Sequence, residues 1–314
     1  MLVSVNARQG SRVSLSKSAR FKALFRALRP HQWIKNGLVV VPLLAAHHLG
    51  RPAEVLASLI ALSAFCLCAS SVYVLNDLLD LEADRAHPRK CNRPFAAGEL
   101  PVSAGVVMAP LLLIISFGCG AFLSSSFIAA LACYYVLTLA YSLFLKGKVL
   151  LDALVLACLY TLRIVAGAAA VGVPLSFWML LFSIFLFLSL ALVKRYAELD
   201  GLQRRGQLQA AGRRYEVSDL PILQNLGCAS GYLSVLVLAL YANSPEVEAL
   251  YRRPTIIWAL CVLLLIWISR VWMAAQRGAM HDDPIVFTLK DRLSICIGCL
   301  GVLIAIRVGL EPIT

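Results

Sequence analysis

The amino-acid sequence predicts an all-α, polytopic membrane protein with nine transmembrane helices. Three observations predict it. Apolar stretches of roughly 18 to 22 residues, long enough to cross a bilayer, recur along the chain. Hydrophobic residues make up 60% of the 314 and charged ones only 15%, with a mean hydropathy of +0.80; a soluble domain of this size is far more polar. The 29 Lys and Arg fall almost entirely into alternate loops, as expected when cytosolic and external loops differ in charge.

Residues 1–28 are basic and polar, with no apolar core of the kind a cleavable signal peptide needs. They read as a disordered cytosolic segment, and residues 29–314 as one transmembrane domain. The first span, near 36–50, is short and interrupted by Pro42. The next three, near 54–75, 103–123 and 125–145, are continuous. The fifth, near 149–171, opens with Asp152 and carries Arg163 in its interior. The last four lie near 176–199, 219–243, 253–275 and 291–310. With these boundaries, 24 of the cationic residues lie on one side, while Arg51, Arg252 and Arg253 lie on the other and Arg163 and Arg307 fall inside spans. The N-terminus is then cytosolic and the C-terminus periplasmic, in a bacterial inner membrane.

The second span closes on Asn76-Asp77-Leu78-Leu79-Asp80-Leu81-Glu82-Ala83-Asp84, followed by His87-Pro88-Arg89-Lys90-Cys91-Asn92-Arg93-Pro94. Carboxylates are costly at a membrane boundary unless they bind something. On a continuous helix Asp77 and Asp80 are three apart, and Asn76, Asp80 and Asp84 share one stripe. Three carboxylates, Asp77, Asp80 and Asp84, so close along one helix end repel, and a divalent cation relieves that repulsion. Oxygen-only ligands suit Mg²⁺, which bridges to phosphate oxygens. The ladder therefore reads as a Mg²⁺-diphosphate site at the cytosolic rim, with Asn76, Asp77, Asp80 and Asp84 as metal ligands.

The ten cysteines carry no disulfide or zinc spacing. Five lie singly inside spans, where cysteine behaves as a small apolar filler. Trp33 reads as an interfacial anchor. Arg204, Arg205, Arg213 and Arg214 read as a topology signal with attraction to anionic lipid; the excess of positive charge implies no nucleic acid. Lys35, Arg93, Lys146, Lys194 and Arg195 sit at the mouths of spans, where a cavity between helices would open, and are candidate phosphate ligands, as is Lys90. Arg163 lies roughly 20 Å from the cytosolic end at 1.5 Å per residue. That is deep for a phosphate contact, and an ion pair or helix packing explains it at least as well.

The ladder N-D-L-L-D-L-E-A-D with H-P-R-K-C-N-R-P resembles the first signature of the UbiA superfamily of intramembrane prenyltransferases, and the resemblance covers nearly the whole chain. It implies nine helices around a cytosol-facing central cavity and a prenyl diphosphate bound through Mg²⁺. Members that prenylate aromatic acids carry a second acidic cluster close to D-x-x-Y-A-x-x-D. Here K-R-Y-A-E-L-D stands in its place: Tyr196 and Asp200 match, but Lys194 and Arg195 replace acid. A Lys-Arg pair grips phosphate directly. The stretches R-P-H-Q-W-I-K-N, Y-S-L-F-L-K with the following L-D, and H-D-D-P-I-V-F-T-L-K-D-R resemble the decaprenyl-phosphate phosphoribosyltransferase branch, and Tyr141, Tyr196, Asp152 and Arg163 would support the site. Rhizobial relatives are associated with arabinose on nodulation signals.

The implied reaction is Mg²⁺-dependent transfer of 5-phosphoribosyl from phosphoribosyl diphosphate to a polyprenyl phosphate, on a route to polyprenyl-phosphate arabinose. Prenyl transfer to an aromatic acceptor such as 4-hydroxybenzoate is the nearer alternative. A transporter of phosphorylated solutes or lipids is the other, although the chain shows no internal repeat and its acids gather on one membrane face rather than at mid-depth. Oligomeric state stays open, a homo-oligomer among the options.

Overall fold

A computed structural model describes residues 16–87, 90–207, 214–245, 247, 256–280 and 284–309. Pro88, Arg89 and His281-Asp282-Asp283 of the quoted motifs lie outside the described residues. So does the start of the basic N-terminal segment.

Among the described residues the chain is helical, with no strand. Helix α1 is Lys17–Ala27. A 3₁₀ helix, Pro30–Val40, leads into α2, Val41–Ala45. Then come α3 (Pro52–Leu79), α4 (Leu81–Ala86), α5 (Val102–Gly120) and α6 (Ser125–Ala140). A π-turn over Tyr141–Leu145 extends α6. Next are α7 (Leu151–Val171), α8 (Phe177–Gln203), α9 (Leu220–Ala242) and α10 (Ile257–Gln276). Helices α11 (Pro284–Lys290) and α12 (Arg292–Gly309) complete the order.

Seven of these, α3 and α5 to α10, are long and apolar enough to cross a bilayer. They match seven of the expected spans. The last expected span corresponds to α12, which is apolar over a shorter stretch. The first is not one apolar helix. Its 3₁₀ run rises about 2 Å per residue and so covers about 22 Å in eleven residues. Pro42 then falls in the first turn of α2, where its missing N–H has no helical partner to lose.

That 3₁₀ segment is built into the bundle. Trp33, expected to anchor in the lipid interface, donates its indole N–H to Ser70 of α3 at 3.0 Å. Asn36 is buried and accepts from Arg163 of α7 at 3.0 Å. A Cβ on Gly167 would lie 2.0 Å from the Val39 carbonyl oxygen, so only glycine lets this backbone pass so close to α7. Helix pairs α3–α5 and α8–α9 form the broadest contacts. Buried hydroxyls stitch them by donating to carbonyls across each pair: Ser71 to Ala109 at 2.7 Å, and Ser189 to Gly227 at 2.7 Å.

The N-terminal expectation needs correction. Residues 17–27 are helical, although the whole 1–28 segment read as disordered. Ser16 caps the helix by accepting from Ala19 N–H at 3.2 Å. Ala23 and Ala27 are buried in a cluster with Val74, Phe95, Leu100, Ala109 and Leu112. Two small residues one turn apart give the helix a face that seats against the bundle, a signal hidden by the surrounding charge.

Candidate active site

The aspartate ladder lies where α3 stops. Helix α3 ends at Leu79, and Asp80 adopts φ −93°, ψ 13° before α4 begins. The i→i−4 bonding survives the break: Asp80 N–H donates to Asn76 O at 2.9 Å and Asp84 N–H to Asp80 O at 2.8 Å. The expected continuous stripe is therefore bent at its middle acid. Asp77 and Asp84 turn inward and are 2% and 1% exposed, while the Asp80 side chain is 42% exposed.

Protein cations meet each carboxylate. Arg29 pairs with Asp77. One guanidinium nitrogen of Arg93 reaches both Asp77, at 3.2 Å, and Asp84, at 2.5 Å. Lys90 stands 3.9 Å from Asp84, and Lys146 stands 3.6 Å from Asp80. The repulsion assigned to a metal in the sequence is, in this arrangement, relieved by arginine and lysine. Arg29 was missing from the expected site. It sits at φ +53°, a left-handed backbone uncommon for any residue but glycine. The proline that follows disfavours the right-handed helical region for it, and the ion pair and the Tyr73 ring, 5.2 Å away, hold it there. An arginine directly before Pro30 was the available signal.

The loop carrying Lys90 and Arg93 is held from below. Phe95 and Leu100 are buried beside α1. Arg26 of α1 donates to both Glu99 oxygens at 3.0 Å and to Asn92 O at 2.7 Å.

A second polar group lies around the π-turn. Such turns often mark functional positions. Ser142 accepts from Asn76 Nδ2 at 3.1 Å, and with the Lys146–Asp80 contact this joins the two groups. Behind it, Arg195 of α8 is buried. It donates to Asp152 at 2.7 Å, Glu198 at 2.8 Å and Tyr141 Oη at 3.1 Å. Tyr215 donates to Asp152 at 2.6 Å and accepts from Leu150 N–H at 2.8 Å. Burial first, and this bond to a carboxylate second, push the Tyr215 hydroxyl above its usual range.

This corrects the expectation for Arg195. A guanidinium 1% exposed and matched to two carboxylates has no face left for a phosphate. It ties α8, α7 and the π-turn together. Lys194, its neighbour, is half-buried. Tyr196 points elsewhere and packs edge-on against Trp272 at 5.9 Å. Asp200 pairs with Arg204 at 2.7 Å. Lys35 is half-buried on the 3₁₀ segment. Arg163 stays apart from the site: it binds Asn36, Tyr134 Oη at 2.9 Å and Leu159 O at 2.6 Å, with Tyr134 and Tyr160 rings beneath it. Its partners are neutral, so it is a packing residue rather than half of an ion pair.

The donors suit a hard divalent cation. Asn76, Asp77, Asp80 and Asp84 offer oxygen only, and Asp77 Oδ2 is buried with no hydrogen-bond partner. The described acids do not converge on one point; the orphaned oxygen is the part of the site that fits a metal.

The sequence profile of the UbiA prenyltransferase family matches residues 38–290. The decaprenyl-phosphate phosphoribosyltransferase of Mycolicibacterium smegmatis is 42% identical over 276 residues, 86% of this chain and 87% of that one. The nodulation protein NoeC of Azorhizobium caulinodans is 38% identical over 88% of this chain and 90% of its own. The Sinorhizobium fredii protein y4nM is 39% identical over 92% of this chain, which spans 56% of y4nM's length. A solved UbiA homolog from Archaeoglobus fulgidus bound to DMAPP and Mg²⁺ superposes with a TM-score of 0.66 at 17% identity, covering 92% of this chain and 98% of that one; at that identity the likeness is one of fold.

Proposed function

The chain belongs to the UbiA prenyltransferase family, a family of transferases embedded in membranes, and from that membership we propose that it moves a 5-phosphoribosyl group from phosphoribosyl diphosphate to a polyprenyl phosphate. The bond from ribose C1 to the diphosphate oxygen breaks. A lipid phosphate oxygen forms the new bond to C1 from the opposite face, and diphosphate leaves. A phosphate monoester is already anionic at neutral pH, so no general base is required.

The observation that carries this reading is the cation content of the rim. Arg29, Lys90 and Arg93 surround Asp77 and Asp84, and Lys146 reaches Asp80. Two substrates with three phosphate-bearing groups need more positive charge than one prenyl diphosphate does. The likeness to the M. smegmatis phosphoribosyltransferase supports the same pair of substrates.

In this reading Arg29, Lys90 and Arg93 hold the donor diphosphate, the arginines in bidentate fashion. Lys35, Lys146 and Lys194 divide the 5-phosphate and the lipid phosphate. Arg195, Asp152 and Tyr215 fix the π-turn from which Ser142 and Lys146 reach the ladder. Asp77, Asp80 and Asp84, with Asn76, would hold Mg²⁺, which supplies charge neutralisation for the leaving diphosphate. On this reading the product lies on a route to polyprenyl-phosphate arabinose for glycoconjugates, and the likeness to NoeC supports a link to nodulation. The charge bias of the loops supports a cytosolic N-terminus and site, in an inner membrane.

The test is purified protein in detergent with decaprenyl phosphate, radiolabelled phosphoribosyl diphosphate and Mg²⁺. Label enters the organic phase, and EDTA or Asp80→Ala abolishes the transfer. Label moving from a prenyl diphosphate to 4-hydroxybenzoate, with none reaching decaprenyl phosphate, would overturn the assignment.

A further inference from the structure

Helix α1 has three faces. At 100° per residue, Ala23, Leu24 and Ala27 fall on one, Phe21 and Phe25 on a second, and Lys22 and Arg26 on a third. The first is seated on the bundle. The second is bare: Phe21 is 72% exposed and Phe25 51%. On the third, Arg26 is engaged with Glu99, while Lys22 is exposed. Arg20 is exposed too, and among the described residues neither it nor Lys22 has an ion-pair partner.

The depth of α1 follows from what it touches. Ala23 and Ala27 share a packed cluster with Ala109 and Leu112. Those residues lie about 10 and 15 Å along α5 from its first residue, Val102, well into a helix long and apolar enough to cross a bilayer. The direct contact that fixes the depth of α1 is with α3: Leu28 O at its C-terminal end accepts from Ser70 Oγ at 2.9 Å, about 13 Å before α3 stops at Leu79, which puts the helix at the boundary between headgroups and acyl chains. Two phenylalanines are costly to leave in water but at home in that layer, and cations beside them meet the headgroups. Between α1 and α5 there is also a cleft of about 410 Å³. Leu24, Leu100, Ala104 and Val107 form its apolar walls, and Arg20 and Ser103 its polar ones.

We propose that α1 is an interfacial anchor for anionic phospholipid, with a headgroup phosphate held by Arg20 and Ser103 in the cleft between α1 and α5. Charge complementarity selects the occupant. The surface offers unpaired cations, an open cleft with a hydroxyl beside Arg20 and an apolar flank in one place, and a zwitterionic lipid satisfies only the last two. The anchor matters beyond attachment, because Arg26 of the same helix clamps the loop that carries Lys90 and Arg93. The proposal does not depend on which reaction the rim performs.

Native mass spectrometry of the delipidated full chain in detergent tests it, with phosphatidylglycerol, phosphatidylcholine or inorganic phosphate titrated in turn. The chain should retain phosphatidylglycerol at least about tenfold more tightly than phosphatidylcholine, since each cation near an anionic surface contributes roughly fivefold. Substituting Arg20→Ser together with Lys22→Ser should reduce that preference to below about twofold. Both side chains are exposed, and an unchanged melting temperature without lipid verifies the fold. Phe21→Ser with Phe25→Ser should weaken both lipids alike. A preference that survives in the Arg20/Lys22 variant, competition by inorganic phosphate at equal concentration, or a second copy of the chain bound on this face without lipid would each overturn the proposal.

Discussion

One guanidinium nitrogen of Arg93 lies 3.2 Å from Asp77 and 2.5 Å from Asp84, so a single side chain spans the break between α3 and α4. Two nearly buried carboxylates depend on it. In Arg93→Ala, Asp77 keeps Arg29 but Asp84 keeps only the lysine at 3.9 Å. The expected cost is about 1–3 kcal/mol of stability, the usual penalty for a buried group left underbonded. Transferase activity should fall at least about a hundredfold, and Arg93→Lys should recover the stability, since a single nitrogen makes both contacts, but little activity, because an ammonium lacks the further guanidinium N–H groups that would grip a diphosphate in bidentate fashion. Melting curves and kcat/KM for the sugar donor separate the two effects; near-normal kcat/KM in Arg93→Ala would remove Arg93 from the site.

Arg195 and Asp152 are both buried and bond at 2.7 Å. Removing one partner strands the other charge in an apolar interior. Arg195→Ala should therefore cost about 3–5 kcal/mol, whereas Arg195→Met combined with Asp152→Leu should restore most of that loss. The combined variant also separates two roles. A positioning residue leaves KM for phosphoribosyl diphosphate within about threefold while kcat drops, because the Tyr141 turn loses its support. A tenfold rise in KM would return Arg195 to the phosphate ligands expected from its sequence position.

The difference between those readings shows what a sequence carries. Span length and loop charge are one-dimensional properties, and seven of the expected spans reappear as long apolar helices. The ladder was legible because acids at a membrane edge are costly wherever the chain goes next. Partners were not legible. Arg29 meets Asp77 across 48 residues, and Arg163 meets Asn36 across 127. Nothing in local periodicity says that Arg195 turns into the bundle toward Asp152 while Lys146 turns toward Asp80. The bend at Asp80 was hidden for a related reason: the intact i→i−4 bonds on either side leave the spacing of the acids unchanged. Helix α1 was masked by its own charge, since a short face of Ala23, Leu24 and Ala27 seats it.

His31 follows Pro30 at the start of the 3₁₀ segment, between Arg29 and Lys35. Burial first, and then those two cations, hold its imidazole below the ordinary value of 6.5. The folded state thus favours the neutral ring. The stability this contributes is present above the unfolded value and is lost as pH falls through the depressed folded one. In NMR titrations His31 should change charge below pH 6.5 in the free protein. If Arg29 and Lys35 face the donor phosphates, inorganic diphosphate with Mg²⁺ should move that titration upward. A midpoint unmoved by diphosphate would place the polyanion elsewhere.

Two glycines inside spanning helices should respond to alanine with opposite signs. At Gly118 of α5 a Cβ would meet nothing within 4 Å. Alanine there replaces the residue with the greatest backbone freedom in the unfolded chain, and Gly118→Ala should be neutral or stabilising by up to about 1 kcal/mol. At Gly167 of α7 the same methyl would lie 2.0 Å from the carbonyl oxygen of Val39 and 2.8 Å from its carbon. Backbone cannot swing aside as a side-chain tip can, so the 3₁₀ segment must move as a body. Gly167→Ala should cost about 1–3 kcal/mol, the range for overpacking a closed interior. The segment that moves carries Lys35 and the Asn36 contact to Arg163, so KM for the phosphorylated substrates should rise with the loss of stability. Thermal melts of both variants, read beside KM, test the pairing: equal effects at the two glycines would mean that the 3₁₀ segment does not press on α7 as closely as Val39 and Gly167 require.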